Sequence, residues 1–345
     1  MTRGRTKHFC LRAARSVKQL VLYQRRRCGS RILAHDKPPF GVCCRRGQIL
    51  AVPLLFGVIG LLTSVSFGAD AVIEQARLLD QANASYAARR PLEAIRLYRE
   101  YLAHYPDRAD VRVFLGAALF NVGKPGDALE ETRRALALDS TYGRAYTLAG
   151  RIHAGQHEWE WAQQDFSEAL RLNPRDRETL YFSGRAYYDE SRFEKAIEAF
   201  ERALALGPGQ SRVYQNLGLA SEALGSFAEA EQAYKRAIEL SAGEYRPYLA
   251  YGTFLLKQGR TAQSIQMLEK ALALDPENVD THFELGKALL QSGQLAGAAR
   301  VLEPALSKSN QCRIHYLLIS VYSRQARSAD ADRQAQALED CRNEP

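Results

Sequence analysis

Past residue 48 the sequence has no surplus of positive charge, although the whole chain of 345 residues carries a formal net charge of +8. Residues 1–48 hold 13 Lys or Arg against one acid, Asp36, leaving 34 basic and 38 acidic residues for the remainder. The excess belongs to a short arm, and the bulk of the chain lacks the net positive charge on which affinity for a phosphate backbone depends. No nucleic-acid partner is expected. Cysteine is equally scarce there. Of six, Cys10, Cys28, Cys43 and Cys44 lie in the arm, and only Cys312 and Cys341 follow. The adjacent Cys43 and Cys44 have no second pair at metal-ligand spacing. Also missing are a glycine loop ahead of a strand, a serine elbow, and a carboxylate pair in a setting that would shift its pKa. No enzyme, cofactor or metal site is expected from such a sequence.

What is present is a beat. Gly116, Gly150, Gly184, Gly218, Gly252 and Gly286 return every 34 positions, and Ala135, Ala169, Ala203, Ala237, Ala271 and Ala305 keep the same period. A third series runs Ala128, Ala162, Ala196, Ala230, Ser264 and Ala298. A fixed period of this length means one supersecondary unit copied head to tail. Within the unit, "VRVFLGAALFNVG" spaces its apolar residues for a helix and stops at Gly123, and "DALEETRRALALD" begins a second amphipathic run. Gly225, Gly259 and Gly293 share the turn position of Gly123, where a left-handed backbone is cheapest without a Cβ. Pro106, Pro174, Pro208 and Pro276 follow the second helix. The glycines are expected to face the small residues of the second helix. Large groups at Tyr146, Leu180, Tyr214 and Tyr248, and at Phe166, Phe200, Tyr234 and Leu268, then fill the space left over.

These segments, above all "YQNLGLASEALGSFAEAEQAYKRAIEL" and "LYFSGRAYYDESRFEKAIEAFERALALGP", resemble the tetratricopeptide repeat (TPR) family. The resemblance implies an all-α fold, a TPR superhelix (α-solenoid) of seven full repeats plus a degenerate C-terminal hairpin. The array occupies 70–345, with repeats starting near 75, 109, 143, 177, 211, 245, 279 and 312. It further implies a right-handed superhelix whose concave groove is lined by the first helices and takes a protein or an extended peptide. On that basis the candidate groove residues are Arg144, Arg151, Tyr181, Arg185, Tyr188, Arg212, Arg246, Phe283 and Lys287, with Phe120 and Leu256 on the same face. Aromatics and arginines are the side chains enriched at binding hot spots. The Lys and Asn set of chaperone-binding relatives is not found in register, and Asn216 stands alone.

Four other features need a role. His153 and His157 are four apart, a metal-ligand spacing on a helix. Aligned by repeat, however, His153 takes a packing position and His157 a turn. Trp159 aligns with Phe193 and Phe227 as a packing residue, and Trp161 aligns with Lys195 and Glu229 as an exposed one. Cys312 opens the last first-helix and Cys341 closes its partner. Antiparallel helices would bring them together as a disulfide in an oxidising compartment, the alternative being two free thiols.

Between Arg46 and Asp70 there is no charge, and Ile49–Leu62 is an apolar run of 14. With a basic flank before it and Ser66-Phe67-Gly68 after it, 49–69 is expected to be the apolar core of a signal peptide or a single membrane anchor. An export signal begins near the N-terminus, so the basic arm 1–48 is read either as a start placed too far upstream or as a disordered extension. In both cases Arg45 and Arg46 stay on the cytoplasmic side and the repeats lie outside it, in a periplasmic or extracytoplasmic setting. A second reading takes the Arg-rich "LRAARSVKQLVLYQRRR" as a mitochondrial presequence.

Overall fold

Apolar residues at helical spacing over 13 or 14 positions, cut by a tight turn, dictate helix after helix. The computed structural model describes residues 75–207, 210–308 and 312–343, and among these there is no strand. The basic arm and the 49–69 segment lie outside the described residues, as does Pro208. All described residues belong to one unit of the chain, Gly68–Pro345. No helix among them is long and apolar enough to cross a membrane.

The first helices of successive hairpins are α1 (75–87), α3 (Ala109–Asn121), α5 (Gly143–Gly155), α7 (Arg177–Asp189), α9 (Ser211–Leu224), α11 (Tyr245–Lys257), α13 (Val279–Gln291) and α15 (Cys312–Arg324). Their partners are α2 (Pro91–His104), α4 (Pro125–Leu138), α6 (Trp159–Leu172), α8 (Phe193–Ala205), α10 (Phe227–Leu240), α12 (Thr261–Leu274), α14 (Leu295–Lys308) and α16 (Ser328–Asn343). Few of them are capped by a side chain. Asp176 accepts from the Glu178 amide and Asn278 from the Thr281 amide. Helices this short are marginal alone, so their stability comes from packing.

The turn after each first helix holds a residue in the left-handed region. At Gly123, Gly225, Gly259 and Gly293 this is the expected glycine. Arg89, His157, Ser191 and Ala326 adopt the same conformation at φ 57 to 63°. That backbone costs roughly 1–2 kcal/mol for a residue with a Cβ, so the stacking on either side holds these four turns in place.

Packing within each hairpin follows the small-residue series, with one change of partner. The third series does approach the glycines: Ser264 Oγ donates to the Gly252 carbonyl at 2.7 Å. The atoms nearest the glycines are nevertheless those of a large side chain one turn further along the second helix. A Cβ on Gly150 would lie 2.8 Å from Phe166, on Gly184 2.7 Å from Phe200, on Gly218 2.8 Å from Tyr234, and on Gly252 2.7 Å from Leu268. These side chains are almost wholly buried. Where the second helix carries only Thr132, Leu148 of the next hairpin reaches Gly116 instead. The Ala135 and Ala169 series lies nearer the start of the first helix, where Ser211 Oγ donates to the Ala237 carbonyl at 2.9 Å.

Ion pairs then tie hairpin to hairpin. Glu231 on α10 accepts from Tyr251 Oη of α11 at 2.8 Å and from Arg260 Nη1, just ahead of α12, at 2.6 Å, and it pairs with Lys235. Hydrogen bonds from Arg260 and Lys235 hold the Glu231 carboxyl down at about 2, from an ordinary 4.5. At the C-terminal end a disulfide joins Cys312 to Cys341 with Cα atoms 5.7 Å apart. In the chain-entropy model a staple of this loop length contributes about 3–4 kcal/mol.

Two outcomes follow from this packing. Gly184→Leu should lower stability by about 1–3 kcal/mol through overpacking against Phe200, read as a shift in denaturation midpoint at unchanged slope. Because the folded state lowers the pKa of Glu231, its contribution is complete above the unfolded value near 4.5 and is lost as pH falls towards 2. The melting-temperature gap between wild type and Glu231→Gln should therefore be widest at neutral pH and close by pH 2, measured by circular dichroism across that range.

Candidate functional site

From α3 to α15 each first helix packs on the next first helix, while successive second helices among the described residues make no comparable contact. Contact on one side and splay on the other puts the first helices on the inside of the curve. Their solvent-facing side chains therefore form one continuous surface.

Neighbouring first helices meet with a constant offset. Phe120 meets Arg151, Arg151 meets Phe182 and Tyr181 meets Arg212, each pair 31 residues apart. Asn121 donates to Tyr86 Oη, Asn216 to Tyr181 Oη and Lys257 to Glu222, each pair 35 apart. The 34-residue repeat thus splits into contacts three short and one long, two positions one helical turn apart on the facing helix.

Arg151 belongs to this surface, on the third of the eight first helices. Its guanidinium carbon lies 4.2 Å from the Phe182 ring centroid and 5.9 Å from that of Phe120, so a ring from each neighbouring first helix flanks it. A pocket of about 210 Å³ opens beside it, lined by Phe120, Arg151, Ala154, Gly155, Phe166, Phe182, Arg185, Ala186 and Asp189. Gly155 permits Phe120 to stand there, since a Cβ at 155 would lie 3.0 Å from Cζ of that ring. No carboxylate pairs with Arg151 among the described residues. Burial therefore pulls its guanidinium below the ordinary arginine range. Arg212 and Arg185 act in the same direction, and Tyr86 and Glu178 oppose them.

The other candidate residues divide. Arg185 stands exposed at the pocket rim, 3.9 Å from Asp189, a loose pair of little energetic weight. Arg144 is exposed on the first turn of α5. Tyr188 is half-buried against Phe193, with centroids 5.6 Å apart. Arg246 lies on its own neighbour Tyr245, and Lys287 lies 3.9 Å from Glu284. Phe283 is covered by Arg313, 4.5 Å from its centroid. Two expected contact residues prove to be interior. Tyr181 is buried because Arg212 stacks on its face at 4.6 Å while Phe200 sits 6.1 Å away, and Leu256 is buried in the core. Phe182 and Gly155 were not anticipated, and Phe166, expected as a packing residue, also lines the pocket. Reading the inner face at an offset of 31 would have paired Phe182 with Arg151.

Elsewhere, His153 Nδ1 lies 2.7 Å from Asp165 Oδ2 and His157 forms a turn, so the two imidazoles do not converge. Among the described residues no group of three or more His, Cys, Asp and Glu side chains could hold a metal ion. Trp159 is half-buried, and Trp161 is 61% exposed on a second helix, away from the inner face.

The geometry can be set against known proteins. Residues 85–152 and 255–320 match one tetratricopeptide repeat model, and 147–211 and 184–245 match another. The chain is 32% identical over 101 residues to the Hsp70-Hsp90 organizing protein of Triticum aestivum, a stretch covering 29% of this chain and 17% of that one. It thus spans about a sixth of that relative's length. Among solved structures, a tetratricopeptide repeat protein from Parabacteroides merdae ATCC 43184 superposes with a TM-score of 0.55 at 19% identity, covering 72% of this chain and 98% of the other. Yeast Tom70 gives a TM-score of 0.57 at 18% identity, over 74% and 54% of the two chains. Stacked two-helix hairpins built on the glycine beat, matched by repeat models over 85–245 and 255–320, show that this chain belongs to the tetratricopeptide repeat family.

Proposed function

We propose that the chain is a scaffold that binds another protein, or an extended segment of one, along its first helices, and that it works outside the cytoplasm in envelope assembly or secretion. The observation that carries the binding role is the unneutralised Arg151 between Phe120 and Phe182 on a continuous inner face. Arginines and aromatic rings are the side chains enriched at interaction hot spots. A relative named for organising two other proteins supports the same role. No catalytic step is assigned.

Two features support the location. The uncharged 49–69 segment with Arg45 and Arg46 before it has the composition of an export signal or an N-terminal anchor. The Cys312–Cys341 disulfide belongs to an oxidising compartment. The Arg-rich, acid-poor arm favours a second reading, a mitochondrial membrane-associated assembly factor.

Photo-crosslinking residues placed at Tyr188 and Lys287 should trap the same partner in cells, and placed at Glu229 and Arg171 on second helices should trap none; adducts confined to the second helices would reverse the assignment. N-terminal sequencing of the mature protein should find cleavage near Gly68 or an intact anchor in the inner membrane. A mature end inside residues 1–48 would favour the mitochondrial reading.

A further inference from the structure

The pocket beside Arg151 has a definite chemistry. Rings of Phe120 and Phe182 flank the guanidinium, and its N–H groups meet no carboxylate among the described residues. Glu178 is near enough to be felt but does not form an ion pair, and Asp189 is drawn towards Arg185. A partly desolvated cation without a counter-ion is unfavourable, and an anion supplied by a ligand would relieve it. With rings beside the guanidinium, its N–H fork is what remains to offer, and a carboxylate fits that fork.

The space next to the cation is lined by the apolar side chains of Phe120, Phe166, Phe182 and Ala186 and by the charged pair Arg185 and Asp189. At about 210 Å³ it is smaller than the ~300–1,000 Å³ of small-molecule sites and on the scale of a single side chain. Arg185 and Arg212, from the next two first helices, extend the positive charge along the face. An extended chain crossing successive first helices meets them in turn. The chain's own arm, with 13 Lys or Arg and one acid, has the wrong sign to fill this site.

We propose that the cleft formed by α3, α5 and α7 binds an extended acidic segment of a partner protein, in which an Asp or Glu carboxylate takes the N–H fork of Arg151 and an adjacent apolar or aromatic side chain enters the pocket. The proposal rests on the scaffold reading and specifies the partner's chemistry.

The test titrates fluorescent nonapeptides against the full-length protein by anisotropy. One peptide carries a central Glu-Phe-Asp, the second Gln-Phe-Asn, the third Glu-Ala-Asp, and the fourth a phosphoserine in place of the Asp. The first should bind at least ~10-fold more tightly than the second, the scale of charge-assisted hydrogen bonds. It should also bind more tightly than the third, and its affinity should fall as salt is raised. Arg151→Gln should abolish the preference for acid, and Arg151→Lys should fail to restore it in full because an ammonium has neither fork nor stacking face. Arg185→Gln should weaken it. Arg171→Gln, the same charge change on a second helix, should leave it intact. Melting curves identify any variant that no longer folds. If Arg151→Gln is one of them, the exposed Arg185 decides. The proposal falls if acidic and amide peptides bind alike, if none binds, if the preference survives Arg151→Gln, or if the phosphoserine peptide binds tightest. First-helix crosslinks that persist alongside such a result would leave the scaffold reading standing and remove only this one.

Discussion

At Gly184 the first helix approaches Phe200 so closely that a single added methyl would overlap the ring, and the same approach recurs at Gly150, Gly218 and Gly252. This contact sets how near the two helices of a hairpin can lie. A bulky residue on one helix is met by bare backbone on the other, which is how two short helices can reach interior packing density between them. Where the large residue is lost, at Thr132, Leu148 from the next hairpin takes up the space at Gly116. The core is in this sense shared, and it runs along the array as a string of clusters that neighbouring hairpins build together. Sparse capping and four non-glycine left-handed turns show the same dependence, since both are tolerated only because stacking supplies what local structure does not.

Close hairpins also decide what happens on the inner face. First helices stacked on first helices meet at offsets of 31 and 35 residues, so side chains from three consecutive hairpins converge on one point. Phe120, Arg151 and Phe182 are such a set. No single repeat contains the pocket, and its chemistry arises from differences between copies that share one backbone. Repetition builds the frame, and departures from repetition give it specificity.

Charge is handled differently in the two settings. Glu231, where α10 meets the next hairpin, gathers Arg260, Lys235 and Tyr251 and stays ionised to low pH, a connection between repeats made with satisfied partners. Arg151 is partly buried without such an answer. A satisfied network serves the architecture, whereas an unsatisfied cation beside an apolar pocket is poised for a ligand. The bulk of the chain is slightly acidic in total, and that sum conceals a run of arginines, Arg151, Arg185 and Arg212, on successive first helices.

Much of the fold was legible in the residues. The 34-residue return of Gly116 through Gly286, with turn glycines at Gly123, Gly225, Gly259 and Gly293, determines two-helix units and their stacking, because a helical glycine kept through six consecutive copies marks a position with no room for a Cβ, and the turn glycines mark a left-handed backbone. Sequence also nominated Arg151 and Arg185 for the inner face. It could not tell that Tyr181 is roofed by Arg212, that Phe182 flanks Arg151, or that Phe200, one turn beyond the small residues, is what lies nearest Gly184. The first two depend on the register between first helices of different repeats, a three-residue shift that periodicity averages away, and the third on the register of the two helices within a hairpin. Local spacing determines which residues share a helix face. Only the stacked helices decide which faces meet and which charge is left without a partner.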